Sequence, residues 1–191
     1  VEDANNHGGG TITLLADTVV SKNGKVPDMC FNAGFAIRSK KGGPAFRIYR
    51  GEHDKKEMLQ ITDGILRLFD VILDGSCEGG ATRAALRISD LARVTMKSTT
   101  ICNNQSNNAD NAANQGASAI CVVGDKAGLK MDGKCVIRNC TATGSAVSAI
   151  VASDSNINNG GVTFEGNTSE SGNPNYTDLT GHTRVSGTPL V

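Results

Sequence analysis

The chain lacks several features that mark common protein classes. Its 191 residues include no Trp, only 4 Pro, 5 Phe and 2 Tyr. Neither sign of charge is in excess, because 19 Lys and Arg balance 19 Asp and Glu. Binding to phosphates requires a basic surplus, so we expect no nucleic-acid partner. No apolar run reaches the roughly 18 residues of a transmembrane helix, so we expect no membrane span.

Motifs for cofactors and metals are also scarce. The 3 histidines are widely separated, and no Cys pair shows the two-residue gap that is typical of zinc sites. No glycine-rich loop is followed by Lys and then Ser or Thr, as in a phosphate-binding loop. We therefore expect no metal, no cofactor and no catalytic residue set.

What the sequence does contain is a series of short apolar clusters, each ended by turn residues. Within residues 59–80 the clusters stop at Thr62-Asp63-Gly64, at Phe69-Asp70 and at Asp74-Gly75. The clusters are too short for ordinary helices, and 23 Gly together with many Asn, Ser and Thr fill the segments between them. This composition predicts an all-β chain.

The apolar clusters recur along the chain. Similar frames begin, with steps of 28, 35 and 33 residues, at Leu66, Val94, Leu129 and Val162. A second apolar cluster precedes each of the three later frames, beginning at Ala85, Ala119 and Ala149. The recurrence indicates that each short strand pairs with its counterpart one period away rather than with its neighbour in sequence.

This arrangement predicts a right-handed, single-stranded parallel β-helix, a solenoid with irregular coils of about 25–35 residues. We expect the β-helix to occupy residues 10–172, after a flexible leader at residues 1–9. Residues 173–191 are expected to form a final imperfect coil or a C-terminal tail. A jelly roll or sandwich is the competing all-β fold, but it usually has longer strands joined by regularly spaced hairpins.

Several segments resemble a known family of repeats. The stretches "LRLFDVILDGS", "LKMDGKCVIRNCTA" and "AIVASDSNINNGGVTFEGNTSE" are similar to repeats of pectin-lyase-like parallel β-helices, particularly those of adhesin-like bacterial surface proteins. The resemblance implies a non-catalytic interaction or structural module, located outside the cell or on its surface, with an acidic glycan or a host surface protein as partner. The same solenoid also carries enzymes. A polysaccharide lyase, a glycoside hydrolase or an acidic-glycan-binding domain is therefore the alternative.

Four carboxylates lie near strand ends and are candidate catalytic groups: Asp63, Asp70, Asp74 and Asp90. General acid–base chemistry needs at least two groups close to one substrate atom. Asp74 follows an apolar strand and precedes a glycine, which is ordinary β-turn chemistry. We therefore interpret these residues as turn formers. A Ca²⁺ site at Asp70 and Asp74 remains an alternative, although it would have few ligands.

Cationic residues alternate with apolar ones in several strands. Alternation along a strand should place them on the outer face of the solenoid. If their strands stack, they would form a basic stripe that binds acidic glycans or protein carboxylates. The alternative is that they only keep an exposed sheet soluble and discourage edge pairing. The residues of this predicted stripe are Arg38, Arg47, Arg67, Arg87 and Lys130.

The 6 cysteines allow two interpretations. An even number is compatible with disulfides in an exported protein. Cys102, Cys121 and Cys135, however, lie at apolar strand positions, where a thiol behaves as a small buried hydrophobe. The sequence therefore favours mostly free, buried thiols.

Overall fold

A computed structural model describes residues 9–19, 30–50, 57–77, 83–107 and 116–191. Within these ranges the regular structure is entirely β, and no residue is helical. No helix in the described ranges is therefore long and apolar enough to cross a membrane. The strands, numbered in chain order, are β1 (Gly10–Leu14), β2 (Thr18–Val19), β3 (Cys30–Ser39), β4 (Phe46–Tyr49), β5 (Leu59–Ile61), β6 (Asp63–Phe69), β7 (Val71–Asp74), β8 (Leu86–Ser89), β9 (Arg93–Lys97), β10 (Thr100–Cys102), β11 (Gln105–Ser106), β12 (Gly116–Val123), β13 (Gly128–Met131), β14 (Val136–Arg138), β15 (Thr141–Ala142), β16 (Ala146–Ser153), β17 (Asn156–Asn159), β18 (Thr163–Glu165), β19 (Thr168–Ser169), β20 (Tyr176–Asp178) and β21 (Arg184–Gly187).

The strands form four sheets in which every pairing is parallel. The seven-stranded sheet has the order β1-β3-β6-β9-β13-β17-β21, and the six-stranded sheet the order β18-β14-β10-β7-β4-β2. The five-stranded sheet runs β20-β16-β12-β8-β5, and a three-stranded sheet runs β11-β15-β19. From β9 onward each coil visits the seven-, six-, three- and five-stranded sheets in turn. The prediction of a parallel β-solenoid is thus confirmed, with about five turns.

One row of inward residues shows the coil length directly. Phe35, Leu66, Val94, Leu129, Ile157 and Val185 pair in succession across the seven-stranded sheet. Successive members are 31, 28, 35, 28 and 28 residues apart, within the range predicted from the sequence. The prediction that Val162 begins the next frame is wrong. Ile157 pairs with Leu129, while Thr163 next to Val162 pairs with Val136 in the six-stranded sheet.

The reason for this misassignment is the polar character of β17. Its inward residues are Ile157 and Asn159, both buried. The Asn159 carboxamide oxygen accepts hydrogen bonds from the backbone N–H groups of Gly161 and Val162, at 3.1 and 2.9 Å. Its amide nitrogen donates to the carbonyl of Thr188 at 2.8 Å. A buried amide with these partners can occupy a core position that sequence patterns reserve for apolar residues.

The core is a continuous stack of side chains inside the coils. In the seven-stranded sheet Leu68 pairs with Ile37 on one side and with Met96 on the other, and all three are buried. In the five-stranded sheet Leu86, Ile120 and Ile150 form an equivalent row. These rows explain why strands of three to five residues suffice, because each inward side chain is covered by the coils above and below.

The corners between sheets use residues that tolerate a left-handed backbone. Asn103 and Asn139 have φ of 57° and 52°, and Asp70, Asp90 and Asp154 lie between 49° and 56°. Asn and Asp are the non-glycine residues most often found in this conformation. The Asn103 N–H donates to the carbonyl of Arg138 at 3.2 Å, which continues the inter-coil hydrogen bonding around the corner. Asn and Asp therefore form several of the corners between the sheets.

The structure describes the C-terminal end of the predicted domain but little of the segment that precedes it. Apart from residue 9, the predicted leader at residues 1–9 lies outside the described residues. After residue 172, β20 pairs with β16 and β21 pairs with β17, so both strands extend the parallel stack. The segment after β21 places the Leu190 side chain in the apolar core.

Candidate functional site

The outer face of the seven-stranded sheet collects positive charge. In the part of the chain that the structure describes, its strands contain a single acidic residue, Asp63, which lies at the start of β6. The chain as a whole has a formal net charge of zero, so cations are concentrated on this face and acids lie mainly elsewhere. We call this surface the cationic face, and the basic residues of its strands are Arg38, Arg67, Arg93, Lys97, Lys130 and Arg184.

The cations occupy alternate strands in two rows of the cationic face. One row runs Arg67–Thr95–Lys130, and a second runs Arg38–Phe69–Lys97. Because neighbouring strands are about 4.8 Å apart, the two cations of each row lie about 10 Å from one another. Arg67 also lies over Gly34, where an added Cβ would meet the Arg67 Nη1 atom at 2.7 Å. In each row a neutral side chain, Thr95 or Phe69, thus lies between the two cations.

A groove of about 540 Å³ crosses four strands of the cationic face, β9, β13, β17 and β21. One wall is the row Arg93–Gly128–Asn156–Arg184, and the other is the row Thr95–Lys130–Asn158–Ser186. The row containing Gly128 lacks a side chain at that point, and an added Cβ would lie 3.5 Å from the Arg93 Cγ atom. The glycine therefore opens space between Arg93 and Asn156. We call this feature the Gly128 groove.

A second depression, of about 710 Å³, lies where the seven-stranded sheet turns into the six-stranded sheet. Two carboxylates, Asp70 and Asp132, lie among its cations. The Asp132 carboxylate accepts hydrogen bonds from the N–H groups of Ser98 and Lys134, each at 3.1 Å. Burial raises the pKa of Asp132, but these hydrogen bonds, together with the Cys135 thiol and the charge of Lys97, lower it overall. The cations of this depression are Arg38, Lys40, Lys41, Lys97 and Lys134.

The structure brings together three of the five residues of the predicted stripe. Arg38, Arg67 and Lys130 belong to the seven-stranded sheet, whereas Arg47 lies on β4 of the six-stranded sheet and Arg87 on β8 of the five-stranded sheet. A single stripe containing all five is therefore not formed. Alternation along a strand separates inside from outside, but it does not tell which of several outer faces a residue shares.

Arg47 is also engaged with an acid of its own sheet. Its Nη1 atom lies 2.7 Å from the Oδ2 atom of Asp74, whose side chain is 3% exposed. The Asp74 carboxylate further accepts from Ser76 Oγ at 2.7 Å and from Asn103 Nδ2 at 3.2 Å. Burial raises the pKa of Asp74, but the hydrogen bonds from Ser76, Asn103 and Arg47 together lower it. This pair joins adjacent coils.

The other candidate carboxylates are dispersed. Asp70 lies at the corner before β7, while Asp74 ends β7, so the two sit at opposite ends of one short strand. Asp63 accepts from the N–H of Gly64 at 2.7 Å, and Asp90 forms a left-handed corner. Within the described ranges no three His, Cys, Asp or Glu side chains come together as metal ligands.

One Asp–His pair lies beside the Gly128 groove. The Nδ1 atom of His182 is 3.3 Å from the Oδ1 atom of Asp154. These two residues line a small pocket of about 330 Å³. Asp125, Asn156 and Arg184 line both this pocket and the groove, so the two cavities adjoin.

Four cysteines are buried and form no disulfide bond: Cys102, Cys121, Cys135 and Cys140. Burial raises the pKa of the Cys135 thiol to about 11 and that of Cys140 to about 12. A thiol that stays protonated at neutral pH is a poor nucleophile and a poor metal ligand. The expectation of buried thiols therefore holds for these residues, and they act as part of the core.

Sequence reasoning missed three residues of the cationic face: Arg93, Lys97 and Arg184. A signal was available, because Arg93 and Arg184 directly precede Val94 and Val185, two inward residues of one row. A residue next to an inward position in a strand points outward. Comparing the frames position by position would therefore have found them.

In comparisons with known proteins, no protein-family model, no curated protein and no solved structure matches the chain. Fold and surface therefore define its class: a parallel β-solenoid of about five turns with one strongly cationic face.

Proposed function

We propose that this protein is a non-catalytic interaction module of an adhesin-like protein that acts outside the cell or at its surface. In this proposal the elongated solenoid presents the cationic face to an acidic partner, either a glycan that carries carboxylates or an acidic surface protein. The resemblance of its repeats to pectin-lyase-like β-helices of surface proteins supports the assignment.

The observation that carries the proposal is the separation of charge. Six cations and one acid occupy the seven-stranded sheet of a chain with no net charge. Solubility alone needs charges of mixed sign, and a large field of one sign is typical of surfaces that attract charged ligands. Arg and Lys of this kind bind carboxylates through charge-assisted hydrogen bonds.

The arrangement of carboxylates supports a binding rather than a catalytic role. Asp63, Asp70, Asp74 and Asp90 lie at separate places, and Asp74 is held by Arg47, Ser76 and Asn103. A pair of acidic groups facing one substrate atom would be needed for hydrolysis.

The test is binding to immobilised polyuronates at low and at high salt. Replacing Arg67 and Lys130 by Ser should weaken binding about tenfold, because two charge contacts at the protein surface contribute about 1.4 kcal/mol together. The matched control replaces Arg87 and Arg138 by Ser, which removes the same charge from other sheets. If both double variants lose the same affinity, or if native binding is insensitive to salt, the proposal is wrong.

A second candidate is a carbohydrate-active enzyme on the same scaffold. The Asp154–His182 pair beside the Gly128 groove favours it, since a carboxylate can orient an imidazole as a proton acceptor. Prolonged incubation with polyuronates, followed by measurement of new reducing ends and of unsaturated sugar products, tests this candidate. Turnover that disappears in Asp154→Asn would replace the non-catalytic proposal.

A further inference from the structure

The depression where the seven-stranded sheet turns into the six-stranded sheet contains an aromatic residue among cations. We call it the corner depression, and its central row is Arg38–Phe69–Lys97, contributed by three adjacent coils. Phe69 follows the buried Leu68 in β6, so its side chain points outward, where it is half-buried. A ligand in the depression would therefore meet an apolar ring as well as charged groups.

The charges of the corner depression converge from four successive coils, those of β3, β6, β9 and β13. Among the residues that the structure describes, five cations and two carboxylates line it, which leaves a surplus of three positive charges. Asp70 is exposed, whereas Asp132 is held by the N–H groups of Ser98 and Lys134. The five cations are all exposed: Arg38, Lys40, Lys41, Lys97 and Lys134.

A tight turn carries two of these cations. The Gly43 N–H donates to the carbonyl of Lys40 at 3.1 Å and closes the turn, and Gly42 has a φ of 78°. This left-handed third residue is typical of a type II turn, where glycine is preferred. An added Cβ at Gly42 would meet nothing within 4 Å, so there is open space around the turn. Lys40 and Lys41 can therefore reach a ligand without displacing packed groups.

The combination of concentrated charge and an outward ring distinguishes between anionic ligands. A uronate ring carries one negative charge, whereas a phosphate ester carries up to two and offers three acceptor oxygens to Lys and Arg. An inorganic phosphate chain would leave the Phe69 ring unused. A nucleotide has both properties that the depression matches, phosphates for the cations and a flat base that stacks on an aromatic side chain.

We propose that the corner depression is a nucleotide-binding site, with the base stacked on Phe69 and the phosphates paired with the surrounding Lys and Arg side chains. This inference goes beyond the proposed function, because it assigns a different class of ligand and does not depend on an acidic glycan or protein partner. The balanced charge of the whole chain argues against long nucleic acids, whose many phosphates need an extended basic surface. A single nucleotide needs only the local surplus.

The decisive variant removes the aromatic ring without changing the charge. Phe69→Leu keeps an apolar side chain at the half-buried outward position, so the variant should fold. The matched control is Phe164→Leu, which changes a partly buried phenylalanine of β18 in the six-stranded sheet. A second pair tests charge: Lys97→Gln inside the depression, and Lys126→Gln, an exposed lysine outside it.

The probes are ATP and inorganic tripolyphosphate, each measured by calorimetry at low salt without divalent metal. Both carry three phosphates, so tighter binding of ATP must come from the nucleoside. The native protein should bind ATP about tenfold more tightly, and Phe69→Leu should remove that advantage while changing tripolyphosphate binding less than about twofold. Lys97→Gln should weaken both probes about threefold. The two control variants should alter neither probe, and circular dichroism shows whether each variant is folded.

The comparison of the two probes on the native protein requires no variant. If ATP and tripolyphosphate bind it equally, or if Phe69→Leu weakens both alike, the stacking site is refuted. The site is also refuted if Lys97→Gln has no more effect than Lys126→Gln. If neither probe binds, the inference is wrong, while binding to polyuronates still decides the proposed function separately.

Discussion

Replacing Leu68 with alanine tests the stacked core most directly. Leu68 is fully buried between Ile37 and Met96, its partners in adjacent coils. The change removes three carbon atoms, worth about 2.4 kcal/mol of transfer free energy at about 0.8 kcal/mol for each. Strand spacing in the stack is set by backbone hydrogen bonds, so the coils cannot close in on the gap. The cavity that remains should bring the loss of unfolding free energy to about 3–4 kcal/mol.

The assay is urea unfolding followed by circular dichroism, with a thermal scan alongside. For a chain of this size a loss of about 3 kcal/mol lowers the melting temperature by about 6–12 °C. Arg67→Ala, the neighbouring outward position, is the matched control and should cost less than about 1 kcal/mol. Leu68→Asp should prevent folding, because it buries a charge between apolar partners. Equal effects of Leu68→Ala and Arg67→Ala would refute the assignment of inward and outward faces.

Two further predictions concern titratable groups. Cys135 and Cys140 should resist iodoacetamide in the native protein at about pH 8, since burial and raised pKa values keep both thiols protonated. Peptide mass spectrometry should find them modified only after unfolding in urea, and modification at equal rates in native and unfolded protein would contradict their burial. Because the pKa of Asp74 is lower in the folded protein, its contribution to stability is present above the unfolded pKa of about 3.9 and is lost as the pH falls through the folded value. Asp74→Asn should therefore lower the free energy of unfolding by about 1–3 kcal/mol near pH 7. The variant should also lose less stability on acidification than the native chain, as measured by urea unfolding at several pH values. An unchanged pH dependence would show that Asp74 does not contribute.

The sequence allowed the fold to be predicted because the apolar frames at Leu66, Val94 and Leu129 keep their register. The frame after Leu129 was misplaced because β17 presents only Ile157 and the amide of Asn159 to the core, whereas the more apolar segment at Val162 looks like a better match. A pattern of apolar residues cannot show that a buried amide will find three hydrogen-bonding partners across a corner.

The candidate site was predictable only in part. Alternation predicts only that Arg38, Arg67 and Lys130 point outward; it could not show that these three share one sheet, or that Arg47 pairs with Asp74 on a different sheet. The Gly128 groove depends on the register of Arg93, Gly128 and Asn156 across three coils. The sequence shows that Gly128 lacks a side chain, but the groove can be recognised only when the residues on the neighbouring strands are known.

The parallel pairing of successive coils has a consequence for how the chain is made. Each described strand bonds to segments about one coil away in sequence, and none pairs the beginning of the chain with its end. A growing polypeptide can therefore add windings one after another during synthesis, each completed coil acting as a template for the next. The first coils can thus reach their final shape before the last residues have been synthesised.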